Sequence, residues 1–249
     1  MNLALKRMIL NVHRSKCPPP PLTDGMDPGL SAAIRTSIGK PAGEITESDL
    51  ASITELDASY RQISTLEGMP TMPNLRILDL EGNKLTSIEG LPNLPELQRL
   101  FLAYNELTDL RGYPNLPKLQ ELDLGANSIS TLAGLNASNA TDFRVNLNCA
   151  VGSNGIDLLE LPTNLTELYL GFSAYRAGDL YRSLTQIPNM PSSLPNLRVL
   201  ILNHNSFPNL EGLSVDLSSL QILDVSRNPL TSLSGLPPVS ALPNLRADL

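Results

Sequence analysis

The sequence predicts an α/β solenoid: a chain of coils, each contributing one short parallel strand, closed at its N-terminal end by a small helical cap. Two observations carry this. The segments LRILDLEGNKL from Leu75, LQRLFLAYNEL from Leu97 and LQELDLGANSI from Leu119 start 22 residues apart, and self-similarity at a fixed period of 20–50 residues is the mark of a repeat architecture. The composition agrees. Of 249 residues 41 % are hydrophobic, yet only 4 % are aromatic and there is no Trp. Such a chain is too apolar to stay disordered and too poor in rings for an ordinary globular core.

The elements follow in chain order. Residues 1–26 form a basic, Pro-rich tail, expected to be disordered. Lys6, Arg7, Arg14 and Lys16 give residues 1–23 a charge of +4 with no acid, which leaves 14 basic against 25 acidic residues for the rest. Pro18–Pro21 read as a stiff linker. The apolar run Met8-Ile9-Leu10 is shorter than the 7–15-residue core of a secretory signal. Residues 27–52 form the cap. Asp27-Pro28 starts a helix well, because Asp accepts from first-turn N–H groups and Pro suits the first helical position. Leu30, Ile34 and Ile38 share one face, and Gly39 ends it. Thr46 and Asp49 have the spacing of a capping box.

Residues 53–249 hold about eight repeats. Beyond the three copies above, LRVLILNHNSF starts at Leu197 and LQILDVSRNPL at Leu220. Weaker copies start at Ile53, Asp142 and Leu165. The alternation x-x-L-x-L-x-x predicts a strand whose Leu pair points inward. Parallel strands of successive copies stack about 4.8 Å apart. Asn83, Asn105, Asn127, Asn205 and Asn228 follow the strands and are expected to turn inward, onto loop backbone that would otherwise be buried unpaired. The return segments carry G-L-P-N-L-P, as in Gly90–Pro95. Proline there disfavours a long helix and suits a short 3₁₀ turn or an extended stretch. An insertion is expected near 174–193. No C-terminal cap is recognisable, so the chain reads as a fragment or as one that self-associates through that end.

The motif L-x-x-L-x-L-x-x-N-x-L resembles that of the leucine-rich-repeat superfamily, which implies a horseshoe with a concave parallel sheet. EITESDLASITELDAS (Glu44–Ser59), followed by ISTLEG (Ile63–Gly68), resembles the start of bacterial internalin-like proteins. That resemblance implies a helical cap leading into 22-residue repeats, secretion or a cell-surface location, and adhesion to another protein. LDVSRNPLTSL (Leu223–Leu233) is also similar to the repeats of bacterial ubiquitin-ligase effectors, whose catalytic Cys lies in a separate helical domain for which no residues remain here.

Function is expected on the outward positions of the strands. Counting each first Leu as one, these are positions two, three, five, seven and eight. Six of the ten aromatic residues fall there: Tyr60, Phe101, Tyr104, Phe143, Tyr169 and Phe172. Exposed rings on such a face are typical anchors of protein recognition; the alternative is that they cover neighbouring strand surface. Position five reads Asp57, Asp79, Phe101, Asp123, Asn146, Tyr169, Ile201 and Asp224, a broken acidic column that favours a basic partner or serves as a solvated face. The candidate binding residues are therefore Tyr60, Asp79, Phe101, Tyr104, Asp123, Tyr169, Phe172 and His204, gripping a protein ligand. No cofactor, metal or catalytic residue is expected: Cys149 and His204 have no evident partners, and no catalytic motif is present. The net charge of −7 makes nucleic acid a poor default partner, and no apolar run reaches the roughly 18 residues of a membrane span. The alternatives are an intracellular regulatory or scaffold subunit, similar to the 22-residue-repeat proteins that escort phosphatases, and the substrate-binding part of a larger effector enzyme.

Overall fold

In the computed structural model, residues 25–133, 135, 143–146, 156–159, 161–171, 184–213 and 216–246 are described. Residues 1–24 of the expected N-terminal tail and Phe172 lie outside them, as does the 174–183 half of the expected insertion; Met26, assigned to the tail, is buried in the core.

Helix α1 (Pro28–Ser37) starts where the Asp-Pro pair predicts. Asp27 accepts from the Gly29 N–H at 2.8 Å and, through its other oxygen, from the N–H of Ser64 at 3.1 Å. The cap residue thus stitches the helix to the first coil. Gly29 allows that approach, since a Cβ there would lie 2.5 Å from the Arg61 carbonyl oxygen. Leu30, Ala33 and Ile34 are buried, Ile38 packs at the margin of the core, and Gly39 takes a φ of +63°. Helix α2 (Glu47–Ser52) carries the capping box in full: the Thr46 hydroxyl accepts from the Asp49 N–H, and the Asp49 carboxylate accepts from the Thr46 N–H.

Eight strands follow: β1 (Glu55–Asp57), β2 (Ile77–Asp79), β3 (Arg99–Phe101), β4 (Glu121–Asp123), β5 (Phe143–Asn146), β6 (Leu165–Tyr169), β7 (Val199–Ile201) and β8 (Ile222–Asp224). They form one parallel sheet in sequence order. Leu56, Leu78, Leu100, Leu122, Val145, Leu168, Leu200 and Leu223 align in one row, and the register shifts only where β5 meets β6, between Phe143 and Arg144. This is the row the sequence frame assigns to the first inward residue, so the degenerate copy at Asp142 is in frame. Inward residues such as Leu75, Leu78, Leu80 and Leu85 are fully buried.

Behind the strands the Asn residues tie coil to coil. The Asn105 amide donates to the carbonyls of Leu102 in its own coil and Leu80 in the preceding one, both at 3.0 Å, and its Oδ1 accepts from the Leu85 N–H at 3.0 Å. Asn127 and Asn205 repeat the pattern, Asn83 accepts from both Arg61 and Ile63, and the less buried Asn228 closes the series. Each return segment opens on a second recurrent device. Thr65, Ser87, Asp109 and Asn209 accept, through a side-chain oxygen, from the N–H two residues on, the local bond typical of these residues. The return segments hold no α-helix among the described residues, as their prolines predict; a 3₁₀ turn forms at Val239–Ala241. Gly90 shows why glycine recurs there, with a φ of +89° and no room for a Cβ, which would sit 2.6 Å from Leu66 backbone.

The expected insertion at 174–193 is too wide at its C-terminal side. Leu184 donates its N–H to Asn205 Oδ1 and accepts from the Ser206 N–H, the bonds made by Ile63 with Asn83 and Lys84. The repeat frame is therefore restored at Leu184, and Leu184, Ile187 and Met190 are buried like Leu85, Ile88 and Leu91. In the coil after β8, by contrast, Leu223, Val225 and Leu230 are only half-buried and Leu233 is 61 % exposed.

Two predictions follow from this packing. Leu100→Ala should cost roughly 2–5 kcal/mol, and Asn105→Ala about 1–3 kcal/mol, because the buried Leu85 N–H loses its acceptor while the Leu80 and Leu102 carbonyls keep Asn83 and Asn127 as donors; equilibrium denaturant unfolding measures both. The capping box adds a pH signature. The Thr46 N–H, Lys40 and the Thr46 hydroxyl lower the Asp49 pKa to about 2. Its folded value lies below its unfolded one, so its contribution is complete above the ordinary carboxylate range and is lost as the pH falls toward the folded value. The gap in melting temperature between wild type and Asp49→Asn should be open at neutral pH and closed near that value.

Candidate protein-binding face

A three-residue strand offers two outward side chains, one on each side of its inward Leu. In this register these become two columns running across the sheet. One reads Asp57, Asp79, Phe101, Asp123, Asn146, Tyr169, Ile201 and Asp224 in hydrogen-bonding order. The structure thus brings Asp79, Phe101, Asp123 and Tyr169 into a single line. Tyr60, Tyr104 and His204 belong to another, at the turn just past the strands. Tyr60 is 55 % exposed; Phe101, Tyr104, Tyr169 and His204 are half-buried. The His204 Nδ1 atom is buried and accepts or donates no hydrogen bond.

The turn column is held in an unusual backbone state. Tyr60, Tyr104, Ala126, His204 and Arg227 have φ between 49° and 55°. The corresponding residue in the second coil is Gly82, at +68°. This left-handed region costs a residue with a Cβ about 1–2 kcal/mol relative to glycine. Gly82 also makes room: a Cβ there would lie 2.3 Å from the Tyr60 ring, so that ring lies over the next coil's backbone. The Tyr60 hydroxyl donates to Glu81, and the Tyr169 hydroxyl to Glu167.

The acids of the strand column have a structural task that their spacing in the sequence did not disclose. Asp57, Asp79, Asp123 and Asp224 each accept from the N–H two residues on, in Ser59, Glu81, Gly125 and Ser226. Each closes the turn that ends its strand. Their electrostatics differ. The Ser59 hydroxyl and N–H hold Asp57 below the ordinary carboxylate range. Burial acts against ionisation of Asp224, but the Ser226 hydroxyl and N–H and the Asn203 amide outweigh it. At Asp79 burial dominates, the neighbouring carboxylates of Asp57 and Glu81 add to it, and the pKa is raised despite the Glu81 N–H.

The column three residues into each coil reads Glu55, Ile77, Arg99, Glu121, Arg144, Glu167, Val199 and Ile222. From β3 to β6 it alternates in sign. At β7 and β8 it becomes aliphatic, beside Ile201. Ile222 is 46 % exposed, and Val199 and Ile201 are half-buried. The sequence frame already placed Ile201 at an outward position, but rings and charges were singled out there and aliphatic residues were not, so Val199, Ile201 and Ile222 were passed over. Among the described residues, no three His, Cys, Asp or Glu side chains are grouped to hold a metal ion.

Known proteins place the chain among repeat structures. The family model for leucine-rich repeats, in its two-copy form, matches residues 51–93, 95–137 and 195–238. An internalin, InlF of Listeria monocytogenes, superposes with a TM-score of 0.50 at 22 % identity, over 93 % of this chain and 84 % of that one. The functional domain of InlJ from the same organism gives 0.55 at 22 %, covering 90 % of this chain and 50 % of the other. TLR13, solved in complex with ssRNA13, gives 0.55 at 23 %, over 83 % and 35 %. At these identities the likeness is one of fold. No curated protein matches the chain.

The raised pKa of Asp79 yields a test of whether its charge serves stability. Its ionised form is less favoured in the folded chain than in the unfolded one, so at neutral pH the charge opposes folding. Asp79→Asn keeps an oxygen for the Glu81 N–H and removes that opposition. Its melting temperature should equal or exceed that of wild type at neutral pH and coincide with it in strong acid; a clear drop at neutral pH would show the carboxylate to be stabilising.

Proposed function

The chain belongs to the leucine-rich-repeat family, and on that premise we propose that it is a non-catalytic module whose concave sheet captures another protein. The observation that carries this reading is where the rings lie. Tyr60, Phe101, Tyr104 and Tyr169 occupy outward positions and retain exposure, while the buried interior is built almost wholly from aliphatic side chains, with Phe207 its one fully buried ring among the described residues. Rings that the core does not need, placed on one wall, suit the anchoring role that aromatic residues play at interfaces. Asp79 and Asp123 would steer a basic partner, and His204 would close the wall at its far end. Phe172 is proposed from its place in the repeat.

We favour protein over nucleic acid because carboxylates prevail on this wall among the described side chains: Glu55, Asp57, Asp79, Glu81, Glu121, Asp123, Glu167 and Asp224 stand against Arg76, Arg99, Arg198 and Arg227. A phosphate backbone is bound through a cationic surface. The resemblance of Glu44–Ser59 to internalin-like proteins supports secretion or a cell-surface setting with an adhesive role. An intracellular regulatory subunit, or the binding part of a larger effector enzyme, would use the same wall; fractionation of the source cells and sequencing of the neighbouring reading frame separate these settings. The exposed Leu233 in the last coil supports weak self-association there, which sedimentation at rising concentration would detect.

Capture from an extract of the source organism, with mass spectrometry of what is retained, tests the reading. Phe101→Ala combined with Tyr169→Ala should abolish most of the capture while shifting the melting temperature little. Retained capture together with a collapsed melting temperature would identify these rings as packing residues.

A further inference from the structure

The outward columns are not uniform from end to end. At β1 and β2 they present Glu55, Asp57 and Asp79 beside Ile77, with Glu81 accepting from the hydroxyl of the exposed Tyr60. At β7 and β8 they present Val199, Ile201 and Ile222 beside Asp224. Between these ends Arg99, Glu121, Arg144 and Glu167 sit on successive strands and alternate in sign, so the middle is close to neutral. Adjacent strands lie about 4.8 Å apart, and six steps separate the acidic end from the aliphatic one, about 29 Å in all.

Each end specifies a chemistry. Carboxylates beside an exposed phenol ring suit a guanidinium or ammonium group, which gains from both charge and the ring face. Exposed β-branched aliphatics are costly to leave in water and suit an apolar side chain. Arg198 and Arg227 flank the aliphatic end, are exposed and outnumber Asp224 there, whereas Arg76 at the other end is outnumbered by Glu55, Asp57, Asp79 and Glu81; the balance of charge disfavours the reverse orientation.

We propose, resting on the reading of the concave wall as a protein-binding face, that its partner is a polypeptide segment cationic at one end and apolar at the other. The segment lies across the strands with its Lys or Arg side chains over β1 and β2 and its aliphatic or aromatic side chains over β7 and β8. An extended segment spans the distance with about nine residues at roughly 3.3 Å each.

The test uses the full chain and a displayed library of random peptides of about 16 residues. Enriched sequences should carry Lys or Arg in one half and Leu, Ile, Val or Phe in the other, and Phe101→Ala with Tyr169→Ala should prevent their binding. A synthetic copy of the best peptide should lose about tenfold or more in affinity to Asp57→Asn with Glu81→Gln, and likewise to Ile201→Thr with Ile222→Thr. Placement is read by a double-mutant cycle: replacing the peptide's basic residues by Ala should erase the effect of the first pair and leave that of the second. Thermal melts confirm that each variant is folded. Peptides that need Phe101 and Tyr169 but show no charge polarity, or couple to the wrong end, overturn this inference and leave the binding wall standing. Peptides indifferent to Phe101 and Tyr169 overturn the wall itself. Failure to enrich any sequence, or displacement of the peptides by a single-stranded oligonucleotide at lower concentration, overturns the proposed partner.

Discussion

The structure depends on how a coil too small to have its own interior satisfies its backbone. At the bend behind each strand, carbonyl and N–H groups point inward where water does not reach. No helix or second sheet lies there to pair them. The Asn side chain supplies two donors and an acceptor at one point, and it serves two coils at once: Asn105 reaches Leu102 in its own coil and Leu80 and Leu85 in the one before. A residue with only an acceptor, or with none, would leave buried groups unpaired at about 1–3 kcal/mol each. Where the first coil has Arg61 in place of Asn, the following Asn83 accepts from two of its N–H groups, and Asp27 from the cap reaches Ser64. The cap therefore shields apolar surface and also finishes the polar accounting of the first coil.

From this follows the alignment of the strands. Where a coil is tied to the one before at the same atoms, as at Asn83, Asn105, Asn127, Asn205 and Asn228, equivalent residues are held in line, and strands separated in sequence by 22, 23 or 32 residues still align. The coil entered at Asp142 keeps Val145 in register with Leu122 and Leu168 although its leading Leu is gone. The frame is intact on both sides of residues 172–183, at Tyr169 in β6 and again at Leu184. A surface built on such a scaffold is a set of columns, and an outward side chain can change without altering the columns behind it.

That separation explains what could be read from sequence and what could not. The strands, the inward Leu rows, the Asn ties and the N-caps of both helices, Asp27 and Thr46, repeat or carry short local signatures, and each of them was legible. The task of Asp57, Asp79, Asp123 and Asp224 was not. Closing a turn through the N–H two residues on leaves no mark distinguishing it from a charge kept for a partner, since both ask for Asp at the same position. The left-handed backbone at Tyr60, Tyr104 and His204 was equally hidden: Gly82 is the one residue of that column that advertises it. The aliphatic end of the wall was legible by position but was passed over. Val199, Ile201 and Ile222 look like ordinary strand residues, and only their side of the pleat tells that they face out.

The turn-closing role of the acids does not remove the case for recognition; it narrows it. Asn or Ser closes the same turn without a charge, as Ser87 and Asn209 do in the return segments. Had turn closure been the whole requirement, a neutral residue would have sufficed at Asp79, where burial and two neighbouring carboxylates oppose ionisation. The same reasoning applies at the other end of the wall. A Thr at Ile201 or Ile222 would hold a strand as well and expose less apolar surface. At Asp79 a carboxylate is kept where burial opposes its charge, while Asp57 and Asp224 of the same column are held ionised by the Ser59 and Ser226 hydroxyl and N–H groups. The proposed partner, cationic at one end and apolar at the other, would use the acids at β1 and β2 and the aliphatic surface at β7 and β8.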